Sequence, residues 1–170
     1  MSVRFLNSPV GVLRLTAVNG KISEITLTDK AGENAPDAAT DCAAAQLMEY
    51  FDGKRKEFSM EIAPQGTPFQ RAVWEKLAEV PFGRVVTYGE LARAIGRPTA
   101  CRAVANAVGK NPLLIVFPCH RVVAANGLGG FSAGIAVKRA LLRLERVIIS
   151  EKTVFSEKFF FTFDTKRDTL

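Results

Sequence analysis

Histidine and cysteine are scarce in this chain, which limits the metal and disulfide chemistry that it can support. Its 170 residues include one histidine, His120, and three cysteines, Cys42, Cys101 and Cys119. An odd number of widely spaced cysteines argues against a disulfide framework and fits a reducing compartment. A zinc site would need all four of these side chains, and the adjacent pair Cys119 and His120 is poorly spaced for one metal ion. We therefore expect no metal site.

Long apolar stretches are also missing. No run approaches the ~20 apolar residues that span a bilayer, and the first five residues lack the basic-then-apolar layout of a secretory signal. Hydrophobic residues make up 48% of the chain and charged residues 24%, as in ordinary globular proteins. The sequence contains no glycine-rich phosphate loop of the kind that would indicate a nucleotide cofactor. These absences predict a cytoplasmic protein of one ordinary domain or two small ones, with no membrane partner and no cofactor.

Acidic residues are few in the middle of the chain. Residues 67–146 contain 12 Lys and Arg but only 4 Asp and Glu, whereas the segments on either side are nearly balanced. A basic block of this size attracts polyanions, nucleic acid first among them. Charge alone does not separate DNA binding from general solubility.

The first 64 residues have the pattern of a small β-sheet with one helix. Asn19-Gly20 separates two runs of strand-forming residues, 12–18 and 21–28, and predicts a two-residue hairpin turn. Ile22 is out of phase with the other apolar residues of the second run, which indicates a β-bulge. Over the rest of this segment we expect a loop at 30–40, a helix at 41–51 and a strand at 58–62.

Helical signals begin after Pro64-Gln65-Gly66, which marks a boundary. Thr67, Pro68 and Gln70 form the capping box of a helix that ends before Pro81. The apolar stripe of this helix consists of Phe69, Val73, Leu77 and Val80.

Two short helices, at about 87–95 and 98–109, are predicted on either side of a turn that contains Gly96. Thr87-Tyr88-Gly89-Glu90 is a capping box for the first, and Pro98 can begin the second. This is the layout of a helix-turn-helix, although a simple helical corner has the same pattern. One long cation, Arg102, stands in the second helix among small residues, which are Ala100, Ala103, Ala105 and Ala107.

Past Asn111-Pro112 we expect an extended run over 113–123, a glycine loop over 129–134 and a last helix. The apolar face of that helix would carry Val137, Leu141, Leu144 and Ile148. Its opposite, basic face would carry Lys138, Arg139, Arg143 and Arg146.

Cys119 and the only histidine, His120, are neighbours in the sequence. A cysteine thiolate is a strong nucleophile, and it needs a group that removes the thiol proton. Adjacent side chains of an extended strand point to opposite faces, so contact between these two requires a local turn or a bridging water. The alternative is a buried structural cysteine beside a surface histidine. Flanking prolines and the following glycine loop favour a reactive pocket.

Beyond this pair, short motifs follow one another from residue 67 to residue 138. The run around the cysteine is Pro118-Cys119-His120-Arg121-Val122. The others are Thr67-Pro68-Phe69-Gln70, Pro81-Phe82-Gly83, Thr87-Tyr88-Gly89-Glu90-Leu91-Ala92, Cys101-Arg102-Ala103-Val104, Asn111-Pro112 and Lys138. In type and order they resemble the motifs of the O6-alkylguanine-DNA alkyltransferases (methylated-DNA–protein-cysteine methyltransferases), over roughly half of the chain.

The resemblance implies an α+β fold in three parts. A ribonuclease-H-like N-terminal domain, a small β-sheet with a helix, would occupy residues 1–64. A mainly helical alkyltransferase domain at 65–149 would contain the helix-turn-helix, at about 87–109, and the reactive cysteine. An extension at 150–170 has no assigned role.

The resemblance also assigns the chemistry to five side chains. Cys119 would accept the alkyl group, His120 would act as a base through a water molecule, and Glu145 would orient the imidazole. Asn111 would brace the turn that holds the cysteine. Tyr88 would donate a hydrogen bond to the guanine ring as negative charge develops on it.

DNA contacts are implied for a further set of residues. Ser132 would contact the base oxygen that loses its alkyl group, and the backbone at Cys119 and Val122 would recognise the exocyclic amine. Arg102 would enter the duplex where the damaged nucleotide has been flipped out. The minor groove would be contacted by Ala100, Cys101, Ala103 and Ala105, together with Tyr88.

The implied activity is an irreversible methyltransferase reaction, performed once by each molecule, on O6-alkylguanine in double-stranded DNA. O4-alkylthymine is a further candidate substrate. The protein would act as a monomer, without metal or cofactor, in the cytoplasm and at nucleoid or nuclear DNA. Two alternatives remain open: a lesion sensor that binds DNA without chemistry, although sensor relatives replace the acceptor cysteine, and a cysteine hydrolase that needs no DNA.

Some positions depart from the family pattern. Asn106 stands where many relatives have glycine or alanine, and Cys101 where alanine is usual. Leu114 replaces a proline of the mammalian pocket wall, which leaves the accepted alkyl size open. The tail is almost wholly aromatic over 159–163. It would pack on the body, pair with another chain or be disordered.

Overall fold

The computed structural model describes residues 1–149 and 155–164, which belong to two compact units. The first unit contains residues 1–66 and 112–116, and the second contains residues 67–111 and the chain from Phe117 onward. Together they comprise a small antiparallel sheet and several helices, so the predicted α+β class is confirmed. Within the described residues, none of the helices has the length and apolarity that crossing a bilayer requires.

Three antiparallel strands build the first unit: β1 (Ser2–Ser8), β2 (Gly11–Val18) and β3 (Lys21–Thr28), in the order β1-β2-β3. The sequence did not predict β1, because its apolar residues do not alternate clearly. Most of its residues are half-buried, so neither face of the strand carries a distinct hydrophobic pattern.

Both predicted features of the β2–β3 hairpin are confirmed. The Asn19-Gly20 turn has φ angles of +51° and +73°, the left-handed values that a tight hairpin turn requires. Thr16 pairs with Glu24 but Ala17 pairs with Ile22, so one residue of β3 is left over between them. This bulge explains why Ile22 is out of phase with the rest of its strand.

The helix of the first unit, α1 (Ala38–Phe51), begins before the expected residue 41. Asp37 caps it by accepting a bond from the Thr40 amide at 2.9 Å, and the Thr40 hydroxyl accepts one from the Asp37 amide. The predicted strand at 58–62 is wrong, because only Ile62 forms an isolated bridge. The core residues of this unit include Leu13, Leu15, Ile22, Ile25, Leu47 and Tyr50.

Among its described residues, the second unit contains four α-helices and two short parallel strands. The helices are α2 (Pro68–Leu77), α3 (Tyr88–Ala94), α4 (Cys101–Gly109) and α5 (Ile135–Leu144). The strands are β4 (Val86–Thr87) and β5 (Val122–Val123), and 3-10 turns lie at Cys119–Arg121 and Glu157–Phe159.

Helices α3 and α4 pack together in the expected helix-turn-helix layout. The capping boxes predicted at Thr67 and Thr87 are both confirmed. The second helix begins at Cys101 rather than at residue 98, because the chain still turns after Gly96, whose φ is +74°.

The sequence predicted an extended run over 113–123, but the chain is not extended throughout. The chain turns at Ile115, whose φ is +74°. Residues 119–121 then form a 3-10 turn, in which the Arg121 amide donates to the Pro118 carbonyl at 2.9 Å. Of the predicted run, only Val122 and Val123 form a β-strand, which is β5.

Helix α5 also differs from its sequence prediction. Lys138, assigned to the exposed basic face, is fully buried. The helix ends at Leu144, so Ile148 lies beyond it and is 64% exposed. Arg146 adopts a left-handed φ of +61°, which interrupts the helical periodicity on which that prediction depended.

Trp74 anchors α2 within the second unit. Its indole N–H donates to the Ala107 carbonyl at 2.8 Å, and its ring stacks on Phe117 with the centroids 6.1 Å apart. The indole is 1% exposed, so no solvent replaces that bond if it is lost. One side chain therefore holds α2, the end of α4 and the chain that leads to Cys119.

We predict that Trp74→Phe lowers the free energy of unfolding by about 2 kcal/mol, because it removes a buried hydrogen bond and part of the ring volume. Urea denaturation followed by circular dichroism measures this change. Phe69→Leu on the same helix, where the ring is half-buried, is the control. Equal losses in both variants would contradict the anchoring role of Trp74.

Candidate active site

Cys119 occupies the first position of the 3-10 turn and is 3% exposed. The Asn111 amide holds this turn by donating to the Phe117 carbonyl at 2.7 Å and to the Cys119 sulfur at 3.1 Å. Burial raises the pKa of the Cys119 thiol to about 11, although Asn111 and the Lys138 ammonium act in the opposite direction. At neutral pH the thiol is protonated, so a base must activate it.

His120 is the base nearest to it in the chain, and its imidazole is fully buried. Nε2 lies 2.6 Å from Oε1 of Glu145. Burial lowers the pKa of His120 against the opposing effect of Glu145, which favours a neutral ring. When Nε2–H donates to the carboxylate, the lone pair is on Nδ1. That nitrogen is buried without a hydrogen-bond partner among the described residues, so it can accept a proton.

Glu145 is held as a carboxylate by several donors. Arg121 donates from Nε to Oε2 and from Nη2 to Oε1, both at 2.9 Å, and the Gly83 amide donates to Oε2 at 3.1 Å. Burial favours the protonated acid, but the charges and hydrogen bonds of His120 and Arg121 outweigh it and lower the pKa of Glu145. Arg121 is itself fixed by a bond from Nη1 to the Val80 carbonyl at 2.6 Å.

Sequence reasoning gave Arg121 no role, although it lies inside the motif around Cys119. An extended chain would have placed His120 and Arg121 on opposite faces. The 3-10 turn instead directs both side chains to one carboxylate. Glu145 is 2% exposed and bound as described, so it is not half of a surface ion pair with a basic residue of its own helix such as Lys138 or Arg139.

Lys138 is a second residue of the site to which the sequence assigned no role. Its ammonium donates to the Val122 carbonyl at 2.6 Å and to the Gly130 carbonyl at 3.0 Å, so it ties β5 to the glycine loop. Burial lowers the pKa of Lys138 to about 8, against the effect of Cys119. Its place in the motif series was the only signal in the sequence, whereas helical periodicity put Lys138 on the surface.

A cavity of about 430 Å³ opens beside Cys119. Its other walls include Tyr88, Ala105 and Asn106, and Ser132 of the glycine loop. Four of the expected site residues thus line one cavity, namely Cys119, Tyr88, Ser132 and Ala105. Neither Val122 nor Leu114 is among the residues that line this cavity.

The glycine loop approaches Tyr88 closely at Gly129. A Cβ atom there would lie 3.1 Å from the Ala124 nitrogen and 3.3 Å from Cε2 of Tyr88, and the φ of +75° disfavours other residues. The Tyr88 hydroxyl is 3.5 Å from the Gly130 carbonyl, a weak contact. Burial raises the pKa of Tyr88, which keeps the phenol protonated and able to donate.

The expected DNA contacts lie at the outer surface of α4. Arg102, Cys101 and Ala103 are exposed, and Ala100 and Ala105 are half-buried. Arg102 does not line the cavity beside Cys119. Within residues 1–149 and 155–164, no group of three His, Cys, Asp or Glu side chains is arranged to hold a metal ion.

Comparison with known proteins shows which family this chain resembles. The family model described as "6-O-methylguanine DNA methyltransferase, DNA binding domain" matches residues 68–147. A methylated-DNA–protein-cysteine methyltransferase of Mycobacterium tuberculosis is 41% identical over 150 residues, which cover 84% of this chain and 91% of that protein. One from Methanosarcina acetivorans is 50% identical over 104 residues, 61% of this chain and 67% of the relative.

The likeness extends to three dimensions. A crystal structure of Mycobacterium tuberculosis OGT in complex with DNA superposes with a TM-score of 0.79 at 40% identity. The superposition covers 86% of this chain and 93% of that one. By sequence and by fold, this chain belongs to the methylated-DNA–protein-cysteine methyltransferase family.

Proposed function

We propose that this chain repairs DNA by transferring the alkyl group of O6-alkylguanine irreversibly to the sulfur of Cys119. The observation that supports this most is the buried series Cys119, His120 and Glu145 beside a cavity of about 430 Å³, one wall of which is α4. The names of the relatives and the DNA in the mycobacterial complex support the same substrate class.

The reaction begins with removal of the thiol proton. A water molecule between Cys119 and His120 passes that proton to Nδ1, and Glu145 stabilises the charge that forms on the ring. The thiolate attacks the alkyl carbon, so that a C–S bond forms, the C–O bond breaks and the electron pair moves onto the guanine. Tyr88 donates to the ring as this charge develops. Guanine then takes up one proton and His120 releases one, so the charges balance.

The product remains on the protein. A thioether is not cleaved by water under cellular conditions, and the reaction requires no metal or cofactor. One chain therefore repairs one lesion. If the protein is a monomer, each molecule would be inactive after a single transfer.

The target base reaches the cavity by leaving the duplex. A base inside B-DNA is inaccessible, and extruding it costs a few kcal/mol. Arg102, exposed in the first turn of α4, fills the gap and offsets part of this cost. The small residues Ala100, Cys101, Ala103 and Ala105 allow the helix to approach the minor groove closely.

Recognition of the base rests on the loop and on the chain around Cys119. Ser132 contacts the oxygen that loses its alkyl group, and the backbone at Cys119 and Val122 contacts the exocyclic amine. Lys138 holds the Val122 and Gly130 carbonyls near one another and so sets the spacing of these two walls. O4-alkylthymine, with a smaller ring, is a second candidate substrate for the same cavity.

We predict that Cys119→Ala abolishes transfer but retains DNA binding. Mass spectrometry after incubation with duplex DNA containing O6-methylguanine should detect one added CH2 group on Cys119 of the wild type and none on the variant. Cys42→Ala, which removes an exposed thiol of α1, is the control and should react normally. If the wild type binds the lesion but remains unmodified, the protein is a lesion sensor. If it hydrolyses an ester repeatedly, it is a cysteine hydrolase.

We predict that Arg102→Ala slows repair in duplex DNA by about tenfold or more, because the gap left by the extruded base is no longer filled. Reaction with free O6-benzylguanine should be almost unchanged. Rate constants for both substrates, measured in parallel, test this, and Arg71→Ala on the exposed face of α2 controls for the lost charge. Equal losses on the two substrates would contradict the role of Arg102.

The rate of reaction with free O6-benzylguanine should depend on pH in a bell-shaped manner. Protonation of His120 removes the base, and because its pKa is lowered, the rate should fall only below the ordinary histidine range. Lys138 favours the thiolate while it is charged, so the rate should decline again above about pH 8. A rate that instead rises steadily toward pH 11 would mean that the free thiolate reacts without His120.

A further inference from the structure

The aromatic tail extends the small sheet that lies next to the reactive turn. The Val85 amide donates to the Phe159 carbonyl at 2.8 Å, and the Phe161 amide donates to the Val85 carbonyl at 2.9 Å. The next residue, Val86, pairs with Val122 of β5. Successive residues of a strand bond to opposite sides, so the β4 segment lies between β5 and the tail. We call residues 155–161 the C-terminal strap.

The strap also supplies a buried ring to the second unit. Phe155 is 7% exposed and packs in one cluster with five aliphatic residues, which are Val85, Val123, Leu128, Leu142 and Val147. Phe160 meets the Phe155 ring edge-on with the centroids 6.4 Å apart. The guanidinium of Arg84 donates to the Lys158 carbonyl, which ties down the middle of the strap. This segment lies beyond the family match, which ends at residue 147.

The segments that carry Tyr88, the Cys119 turn, the glycine loop and Glu145 each contribute a residue to this cluster. Val85 precedes Tyr88 by way of β4, and Val123 ends the strand that follows the Cys119 turn. Leu128 directly precedes the glycine loop. Leu142 and Val147 lie on either side of Glu145. Phe155 therefore packs where the supports of the nucleophile, its base, the orienting carboxylate and the base pocket meet.

We propose that Phe155 is a positioning residue for alkyl transfer, and that the strap holds the reactive turn, Tyr88 and the glycine loop at their working distances. This inference rests on the proposed alkyl transfer. Catalytic geometry is sensitive to shifts of about 1 Å. The turn and the loop are short irregular segments, so their positions depend on what packs beneath them.

Phe155→Ala should lower the first-order constant for transfer from saturating O6-benzylguanine about tenfold, with a smaller effect on the half-saturating concentration. Phe163→Ala is the matched control, because Phe163 belongs to the same tail but contacts Phe161 and Lys76 instead of the cluster. It should stay within about twofold of wild type. Phe155→Leu should restore most of the rate. All variants are compared well below the melting temperature of the least stable one.

A second measurement does not depend on the transfer reaction. Cys119 is 3% exposed, so a displaced turn should make its sulfur more accessible to iodoacetamide. Phe155→Ala should therefore speed modification of Cys119, read at the peptide level against the exposed Cys42, while it slows transfer. If Phe155→Ala does not fold, Phe160→Ala should change both rates in the same directions.

Equal behaviour of the Phe155 and Phe163 variants in both measurements would overturn the proposal. A wild type that transfers nothing would refute the proposed function instead. The iodoacetamide ratio would then still decide whether the strap positions Cys119.

Discussion

One carboxylate, that of Glu145, is bound at once by an imidazole, a guanidinium and a backbone amide in a site closed to solvent. Burying a charge is unfavourable unless each oxygen is compensated, and removing one partner of such a group costs about 3–5 kcal/mol. His120 and Arg121 are consecutive, and Cys119 precedes them. Fixing the carboxylate therefore fixes the orientation of the whole turn, including the sulfur.

In this arrangement Cys119 is an unreactive thiol at rest and has to be deprotonated before it can react. With its pKa raised to about 11, the Cys119 thiol forms little thiolate at neutral pH. Exposed Cys42 and Cys101 meet dissolved electrophiles first, whereas Cys119 is 3% exposed. In the proposed mechanism its activation depends on Nδ1 of His120, which is available while Glu145 holds the other ring nitrogen. Because the proposed reaction would consume the protein, a nucleophile that is weak until its substrate is in place would be an advantage.

The sequence was most informative where local chemistry decides the structure. Capping boxes at Thr67 and Thr87, the Asn19-Gly20 turn and the bulge at Ile22 depend on neighbouring residues, and the structure contains all of them. Contacts between distant segments were not predictable in this way. Burial of Lys138 depends on the Val122 and Gly130 carbonyls. The contact between Arg121 and Glu145 depends on a 3-10 turn, where the sequence predicted an extended strand. Only the family resemblance pointed to Glu145.

Precision at this site has to come from packing, because little of it lies on regular structure. Cys119 and His120 lie in a 3-10 turn, Ser132 lies in a loop, Tyr88 begins a helix and Glu145 follows the end of one. A helix or a long strand fixes its residues through its own hydrogen bonds, whereas these segments depend on Asn111, Arg121 and Lys138 and on the cluster around Phe155. In the proposed reaction transfer happens once and no product must leave the sulfur, so rigidity would not slow turnover, which in many enzymes is limited by product release. A tightly braced, irregular site is therefore compatible with this chemistry.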